Sequence, residues 1–283
     1  MTERFDRQVL RFGEDGQARI GTSRIAIVGL GGLGSHVAQQ LIYLGVGHLT
    51  VIDPDPVEAT NLNRLVGATA DDALSARLKV DVVERLALSV DPLIEVTKIP
   101  TSVTSDAAID ALQNVDYIAG CLDHDGPRLL LTVLSSTYDN PYLDLATDIS
   151  VDDAWFGGRV IFAAEGEGCL ACFNELDQRD IRLWMSNEAE LAEEDRIYGQ
   201  SQVGPSPSVV ALNGVVASAG VMELIAAITR MRPINRHLEY RPDGKLVIDT
   251  SPPSADCYYC KEVRASREEG PLKRMRRDIP LGR

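Results

Sequence analysis

Short apolar runs alternate with amphipathic segments of helical period along the first half of the chain. Residues 25–28 have the length and branching of a buried parallel strand, and the periodic segment 35–44 that follows predicts a helix. A second apolar run, residues 49–52, ends on Asp53. This strand–helix–strand order predicts an α/β fold with a Rossmann-like, mainly parallel sheet and helices on both faces.

The later segments first extend this pattern and then change it. Further helices are predicted at residues 5–20, 73–90, 105–113, 126–138 and 209–228, and further strands at 93–99, 115–120, 141–145 and 154–164. Two short runs around a Pro-Asp-Gly turn, within residues 237–250, predict antiparallel C-terminal strands. The polar and acidic stretch 174–208, which precedes the longest apolar helix, predicts a crossover loop.

These elements predict one domain over residues 1–264, with its nucleotide-binding part at about 24–150. The remaining residues, 265–283, are rich in arginine and lysine, and we expect them to form a flexible basic tail. The formal charge of the whole chain is −14, which disfavours a nucleic-acid partner because a phosphate backbone would be repelled.

The N-terminus lacks the apolar segment of a signal peptide, so we expect a cytoplasmic protein. Residues 209–228 are apolar enough to raise the question of a membrane span. They contain Asn213 and Glu223 and lack flanking aromatic anchors, which favours a buried helix and no membrane partner.

Three glycines at GxGxxG spacing, Gly29, Gly31 and Gly34, lie between the first predicted strand and its helix. Glycines let the backbone turn tightly and approach a phosphate, and a helix N-terminus presents free N–H groups to an anion. Asp53 ends the next strand, where a carboxylate can bind ribose hydroxyls. The pattern predicts a nucleotide site, but it does not distinguish a site for NAD from a site for ATP.

Polar residues beyond this loop are candidates for contacts with phosphate and metal. Arg64 follows a loop that contains proline, Lys79 lies within the predicted helix 73–90, and Asp123 comes just past the predicted strand 115–120. Ligands of open α/β sheets bind outside the carboxyl ends of the strands, which is where Asp123 falls. Each residue could be an ordinary surface charge, but their order behind the glycine loop favours a shared site.

Four of the five cysteines form two C-x-x-C pairs that lie far apart in sequence, Cys169 with Cys172 and Cys257 with Cys260. Two such pairs together supply the four thiolates of a closed structural Zn²⁺ site. A redox role would normally need only one pair beside a helix N-terminus. The pairs therefore predict a zinc clasp between two distant segments, with redox or unrelated cysteines as the alternative.

Taken together, these motifs resemble the ThiF/MoeB/HesA superfamily, the adenylating relatives of ubiquitin-activating enzymes. The resemblance covers the chain from Arg7 to Cys260. It rests on Arg-Gln near the start, Gly-Leu-Gly-Gly-Leu-Gly, the strand-end Asp53, Asn-Leu-Asn-Arg at residues 61–64, a helix lysine, Cys-Leu-Asp at 121–123 and both cysteine pairs.

The resemblance implies an ATP site, and it implies a role for each matching residue. Gly29, Gly31, Gly32 and Gly34 would form the loop over the phosphates. Asp53 would hold the ribose, with Asp55 close by. Asn61, Arg64 and Lys79 would face the phosphates, and Asp123 would help to hold Mg²⁺. Arg7 matches an arginine that reaches the ATP of the partner subunit in this family, which implies a homodimer.

The implied reaction is the attack of a C-terminal carboxylate on the α-phosphate of ATP, which gives an acyl-adenylate and pyrophosphate. The leading substrate is a ubiquitin-like or sulfur-carrier protein that ends in Gly-Gly, and a short peptide, as in microcin modification, is the runner-up. Cations must neutralise the carboxylate and the polyphosphate before they can meet, which explains arginine, lysine and Mg²⁺ at the site.

Two departures from the family pattern bear on the chemistry. His124 stands where the family usually has Asn, and we assign it no role. Members that form a thioester place a cysteine in the crossover region, whereas residues 174–209 contain none and Cys121 lies on a predicted buried strand. We therefore expect adenylation without an enzyme thioester.

Two rival functions fit part of the sequence. An NAD-dependent dehydrogenase would use the same glycines and Asp53, but it would explain neither Arg64 and Lys79 nor the cysteine pairs. A non-catalytic scaffold could retain the fold and bind ATP only to hold a partner, although every expected ATP residue is present.

Overall fold

The computed structural model describes residues 3–150, 155–187, 207–268 and 270–276. Its centre is one eight-stranded sheet in the order β3-β2-β1-β4-β5-β6-β7-β8. The strands are β1 (Arg24–Val28), β2 (His48–Ile52), β3 (Glu95–Ile99), β4 (Tyr117–Gly120), β5 (Tyr142–Ile149), β6 (Phe156–Ala163), β7 (His237–Tyr240) and β8 (Leu246–Ile248). β1 to β5 are parallel, and β6 to β8 pair antiparallel. The predicted mixed α/β sheet is confirmed.

Helices cover both faces of this sheet. In chain order they are α1 (Asp6–Thr22), α2 (Gly32–Leu44), α3 (Ala70–Leu74), α4 (Lys79–Val90), α5 (Asp106–Leu112), α6 (Asp125–Tyr138), α7 (Gln178–Met185), α8 (Val210–Thr229) and α9 (Gly270–Lys273). Single turns of 3-10 helix occur at Glu3–Phe5 and Ala59–Asn61, and a short π-helical segment spans Tyr259–Val263. α1 is kinked at Gly13, so the N-terminal segment forms two helical pieces.

β1 shows why the parallel strands are continuously apolar. Ile25 and Ile27 join the core under α2, α4 and α8, whereas Ala26 and Val28 join the core under α5 and α6. Side chains alternate between the two faces of a strand, so a strand that is covered on both faces buries every position. The result is a three-layer arrangement with the glycine loop at the carboxyl edge of the sheet.

The predicted helix 73–90 is wrong in one respect, because the structure divides it. Thr69 caps α3 in a capping box with Asp72, the chain leaves the helix at Ala76 with a φ of 47°, and α4 begins only at Lys79. Between the two helices, Leu78 bridges Pro56 in the loop after β2. The pairing of these two loop segments, which are distant in sequence, interrupts the helix and places Lys79 beside Asp53.

α8 is the one helix in the described ranges that is long and apolar enough to cross a membrane, with a mean hydropathy of 1.8. It packs across β5 and β6, where Gly220 lies against Leu145. Its single carboxylate, Glu223, is buried in a bidentate pair with Arg232 at 2.7 Å. The predicted buried helix is thus confirmed as part of the core.

Two predicted irregular segments contain more structure than expected. α7 forms inside the predicted crossover loop 174–208, of which residues 188–206 lie outside the described residues. Residues 265–268 and 270–276 belong to the predicted basic tail, and the structure places them against the domain. Ala265 and Arg267 donate backbone hydrogen bonds to α6, and Leu272 is fully buried. Residues 277–283 are not among those described.

Candidate nucleotide site and cysteine cluster

The glycine loop joins β1 to α2 at the switch point between β1 and β4. Gly29 has a φ of +86°, and a Cβ there would lie 2.5 Å from the Cys121 carbonyl oxygen. A Cβ on Gly34 would collide with the carbonyl oxygen of Gly29, so the loop folds directly onto the first turn of α2. Gly31, the residue before the helix, faces open space. The backbone therefore presents the free N–H groups of a helix N-terminus to an anion.

Asp53 supports this loop from the end of β2. Its Oδ2 accepts a hydrogen bond from the Leu30 amide at 2.6 Å, and its Oδ1 accepts one from the Asp55 amide at 2.9 Å. Burial raises the pKa of Asp53, while nearby Lys79 and the two amide donors lower it, and burial outweighs them. Asp53 thus holds the loop in shape. Asp55 lies beside it at the same edge of the sheet, and its carboxylate is more exposed.

Lys79 completes a cluster of charges with these two acids, in which Lys79 and Asp53 are buried and Asp55 is exposed. Its Nζ lies 2.8 Å from Asp55 Oδ2 and 3.4 Å from Asp53 Oδ1. Burial lowers the pKa of Lys79, but the two carboxylates outweigh burial and raise it above its ordinary value. The ammonium is therefore fixed as a cation at the edge of the glycine loop. The structure thus brings the predicted site residues Asp53, Asp55 and Lys79 together.

Asn61 and Arg64 belong to the turn that follows β2. The Asn61 Oδ1 accepts a hydrogen bond from the Glu58 amide at 3.1 Å, as part of a capping box. Arg64 donates to the Thr60 carbonyl oxygen at 2.7 Å, and its Cδ would lie 3.3 Å from a Cβ on Gly32. Arg64 is therefore next to the N-terminus of α2, whereas Asn61 also has a structural role in its turn.

Asp123 lies in the segment after β4, which hydrogen-bonds to the end of β1 through the Cys121 amide and the Val28 carbonyl oxygen at 2.8 Å. Its side chain is exposed and has no ion-pair partner in the described part of the chain. An exposed carboxylate oxygen beside an anion site is the ligand type that Mg²⁺ prefers. Asp123 therefore fits a magnesium ion held between the protein and a phosphate.

Arg7 is the one predicted site residue that lies far from the glycine loop of its own chain. Phe5 packs on Gly45 at the C-terminus of α2, and Arg4 donates to the Ile42 carbonyl oxygen at 2.7 Å. The glycine loop is at the other end of this 13-residue helix, which is about 20 Å long. Arg7 therefore does not reach the nucleotide site of its own chain.

Sequence reasoning missed Asn213 as a neighbour of the site. This residue of α8 is 1% exposed, and a Cβ on Gly32 would overlap its side-chain nitrogen. Its Oδ1 accepts a hydrogen bond from Thr147 on β5 at 3.3 Å. The available signal was a single amide in an otherwise apolar helix, which indicates a specific buried partner.

A second missed feature is a buried polar network beneath Asp123. Arg128 lies 3.0 Å from Asp125 and 3.6 Å from Asp144, which accepts a hydrogen bond from Tyr142 at 2.6 Å. Asp125 also accepts a hydrogen bond from the Asp177 amide at 2.7 Å and thereby binds the segment before α7. The signal was Asp144, the one acid within the predicted strand 141–145.

Cys121 is buried between the glycine loop and this network. Burial, with a smaller contribution from Asp144, raises the pKa of its thiol well above the ordinary range. A thiol that remains protonated and inaccessible is a poor nucleophile. This agrees with the expectation that Cys121 forms no thioester.

The other four cysteines converge from the segment after β6 and the segment after β8. Their Sγ atoms all lie within 4.8 Å of one another, with 3.5 Å between Cys169 and Cys257 and 3.5 Å between Cys172 and Cys260. Thiolates at the edges of a zinc tetrahedron with 2.3 Å bonds are about 3.8 Å apart. Hydrogen bonds from neighbouring thiols, that of Cys169 above all, lower the pKa of Cys260 to about 5. The cluster therefore fits Zn²⁺.

Comparisons with known proteins point to one family and one fold. The sequence profile of the ThiF family matches residues 5–262. The sulfur carrier protein ThiS adenylyltransferase of Escherichia coli is 28% identical over 80% of this chain and 82% of its own length. The sulfur carrier protein adenylyltransferase of Thermus thermophilus is 33% identical over 46% of this chain, and mouse adenylyltransferase and sulfurtransferase MOCS3 is 30% identical over 60% of it. The chain spans 48% and 36% of those two relatives.

Solved structures show the same fold. Escherichia coli MccB, determined with AMPCPP and MccA, superposes with a TM-score of 0.72 at 22% identity, over 92% of this chain and 75% of MccB. MccB with ATP gives a TM-score of 0.70 at 20% identity over the same shares of the two chains. PaaA gives 0.66 at 22% identity, over 87% of this chain and 82% of PaaA.

Proposed function

The chain belongs to the ThiF family, and on that premise we propose that it adenylates the C-terminal carboxylate of a ubiquitin-like or sulfur-carrier protein with ATP. The observation that carries the proposal is the meeting of three features at one sheet edge. These are the open N-terminus of α2, the fixed cation Lys79 and the exposed carboxylate of Asp123. The sulfur carrier protein adenylyltransferases among the relatives support this choice of reaction and substrate.

The chain's own residues supply charge and position for the reaction. The amides at the start of α2 would bind the phosphates, while Arg64 and Lys79 would stabilise the negative charge that gathers as pyrophosphate leaves. Asp53 and Asp55 would orient the ribose from the end of β2. Asp123 would hold Mg²⁺, which when bound supplies Lewis-acid stabilisation of phosphate charge.

The chemical step needs no nucleophile from the protein. An oxygen of the substrate carboxylate attacks the α-phosphorus, the bond to the bridging oxygen breaks, and pyrophosphate leaves with that electron pair. The product is an acyl-adenylate. Buried Cys121 and the four clustered cysteines leave no thiol poised for a covalent step, so we infer that the adenylate is passed on without an enzyme thioester.

Pyrophosphate exchange into ATP tests this proposal. Wild-type protein with Mg²⁺ and a panel of carriers that end in Gly-Gly should catalyse exchange with one of them. Asp123→Asn should reduce the exchange rate at least about a hundredfold. Asp243→Asn is the matched control, since its carboxylate is exposed in the β7–β8 turn, and it should leave the rate unchanged. Absence of exchange with every substrate, despite ATP binding, would favour the scaffold function.

A short peptide is the second candidate substrate, and the structural similarity to MccB favours it. MccB is a microcin C7 biosynthetic enzyme, and its structure matches 91% of this chain. A peptide and a carrier tail present the same free carboxylate to the α-phosphate. Exchange that is stimulated by free C-terminal peptides as strongly as by whole carriers would identify the peptide as the substrate.

A further inference from the structure

A second cavity lies on the sheet away from the nucleotide loop. It has a volume of about 510 Å³ and lies over β5 to β8, on the opposite face from α8. The polar residues that matter for its chemistry are Asp148, Arg159, Glu175, His237, Glu239 and Asp249. None of these residues contributes to the nucleotide site described above.

His237 is a buried polar residue of the cavity whose hydrogen-bonding capacity is not fully used. The residue lines the cavity and is 8% exposed, with 11% for its side chain, yet its Nδ1 makes no hydrogen bond within the described structure. Asp249 Oδ2 is 3.5 Å from this nitrogen, and Glu175 Oε1 is 3.6 Å from Nε2. A buried ring nitrogen without a partner costs free energy, so a ligand or its water shell is the expected partner.

The charges of the cavity select the sign of that ligand. Glu175 is paired with Arg159 at 3.1 Å, and Glu239 is paired with Arg241 at 2.7 Å. Asp148 has no ion-pair partner among the residues that the structure describes. Asp249 is hydrogen-bonded by Ser251, lies 3.5 Å from His237 and is also near the charge of Arg236. The lining thus has four carboxylates and two arginines, and this excess of negative charge favours a cationic group over an anionic one.

The spacing of the strands gives the distance from this cavity to Asp123, beside which the substrate carboxylate would react. Asp123 follows β4, while the centre of the cavity lies over β6 and β7, two to three strands away. Neighbouring strands are about 4.8 Å apart, and an extended chain advances about 3.3 Å per residue, so the gap of about 10–15 Å corresponds to three to five residues.

We propose that this cavity binds a lysine or arginine side chain located three to five residues before the C-terminus of the adenylated substrate. The inference rests on the proposed function, since it assumes that the substrate carboxylate lies near Asp123. The Asp148 and Asp249 carboxylates would pair with the cation, and His237 would hydrogen-bond to the same residue of the substrate. The cavity thereby selects among carriers and peptides by a basic residue.

Binding of synthetic peptides tests the proposal directly. The first series consists of five seven-residue peptides that end in Gly-Gly. Each has one arginine at a different one of the other five positions and serine at the remaining four. A second series has glutamate in place of arginine. Calorimetry without ATP gives each Kd. Arginine at the third to fifth position from the end should bind about tenfold tighter than serine, and arginine at the sixth or seventh should not. A preference for glutamate, or no dependence on position, would overturn the proposal.

Two kinds of variant locate the effect. Asp148→Asn combined with Asp249→Asn should abolish the arginine preference, and each single variant should weaken it. Asp243→Asn, which removes one exposed carboxylate outside the cavity, should preserve it. Trp155 lines the cavity and is one of two tryptophans, so in Trp184→Phe protein its fluorescence should change only with the favoured peptides. An arginine preference that survives the double variant would refute the cavity as its origin.

Pyrophosphate exchange separates this inference from the proposed function. Exchange with no arginine preference would leave the adenylation proposal intact and exclude the cavity as a selectivity site. An arginine preference that depends on the two carboxylates, without any exchange, would retain the binding site and remove adenylation.

Discussion

Lys79 is held between two carboxylates, Asp53 and Asp55, and one of them is almost completely buried. Lys79→Gln would leave the Asp53 carboxylate buried with backbone donors only. We expect unfolding in urea at pH 7 to show a loss of about 2–4 kcal/mol, because removal of one partner leaves an uncompensated buried charge.

Lys98→Gln is the matched control for this change. Lys98 also contacts two acids, Asp81 at 2.9 Å and Glu84 at 2.6 Å, but all three side chains are about one-third exposed. Such a pair contributes less than about 1 kcal/mol. If both variants lost the same free energy of unfolding, burial of Lys79 and Asp53 would not be what makes their ion pair important for stability.

Asp72 gives a prediction for the dependence of stability on pH. Hydrogen bonds from Arg85 lower the pKa of Asp72 far below its ordinary value, although burial opposes this, and Thr69 adds two further donors. A carboxylate whose pKa is lower in the folded state stabilises it above the unfolded pKa of about 3.9, and this contribution disappears as the pH falls through the folded pKa.

We therefore expect Asp72→Asn to be about 1–2 kcal/mol less stable than the wild type above pH 5, a modest value because Arg85 is partly in water. The difference should shrink as the pH falls below about 4. Urea denaturation across this pH range measures it, and a constant difference would show that the Asp72 charge is not the cause.

Among the elements, α7 is positioned mainly by its packing against α6. Trp184 packs so closely on Gly126, in the first turn of α6, that a Cβ there would overlap the indole ring. Gly126→Ala should push α7 outward and expose Trp184. In a Trp155→Phe background, the fluorescence of Trp184 should then shift to longer wavelength and be more accessible to quenchers.

Gly214→Ala in α8 is the control for this substitution, because its nearest neighbour, the His36 ring, is 3.5 Å from the added Cβ and leaves room for it. It should leave the fluorescence unchanged and stabilise the helix by about 0.5–1 kcal/mol. An unchanged Trp184 signal in Gly126→Ala would show that α7 is held mainly by other contacts, such as the hydrogen bond from the Asp177 amide to Asp125.

The elements also show where local pattern was enough and where it was not. Strands β1 and β2 and helix α2 were predicted within a few residues, because burial on both faces and the glycine loop leave a strong local signal. The break between α3 and α4 was not, since Ala76 and Arg77 suit a helix locally. Their conformation is set by the loop after β2, where the Val57 amide donates to the Arg77 carbonyl oxygen at 2.7 Å.

For the whole molecule, the cysteine cluster ties the segment after β6 to the C-terminal segment. Cys169→Ser should lose the bound zinc, measured by elemental analysis, and lower the melting temperature by about 10 °C, since structural metal contributes several kcal/mol. Cys121→Ala removes the one cysteine outside the cluster and should keep the full metal content. A full complement of zinc in Cys169→Ser would contradict the four-cysteine site.

The proposed homodimer gives a second prediction at this scale. Arg7 lies about one α2 length from its own glycine loop, so it can act only on a partner's site. Arg7→Ala and Asp123→Ala should each be inactive alone. When the two variants are mixed and allowed to exchange subunits, half of the dimers should be hybrids. Each hybrid has one intact site out of two, so about one-quarter of the wild-type activity should return. No recovery despite hybrid formation would exclude the shared site.

The sequence by itself determined the sheet type, the glycine loop, the buried apolar helix and the two cysteine pairs, because each has a local signature in the spacing or polarity of neighbouring residues. Only the tertiary structure decided which distant groups meet. It placed Lys79 on Asp53 and Asp55, Asn213 against Gly32, and the segment after residue 264 on α6. These contacts join residues far apart in the chain, and their energies come from burial and charge pairing that no local pattern contains.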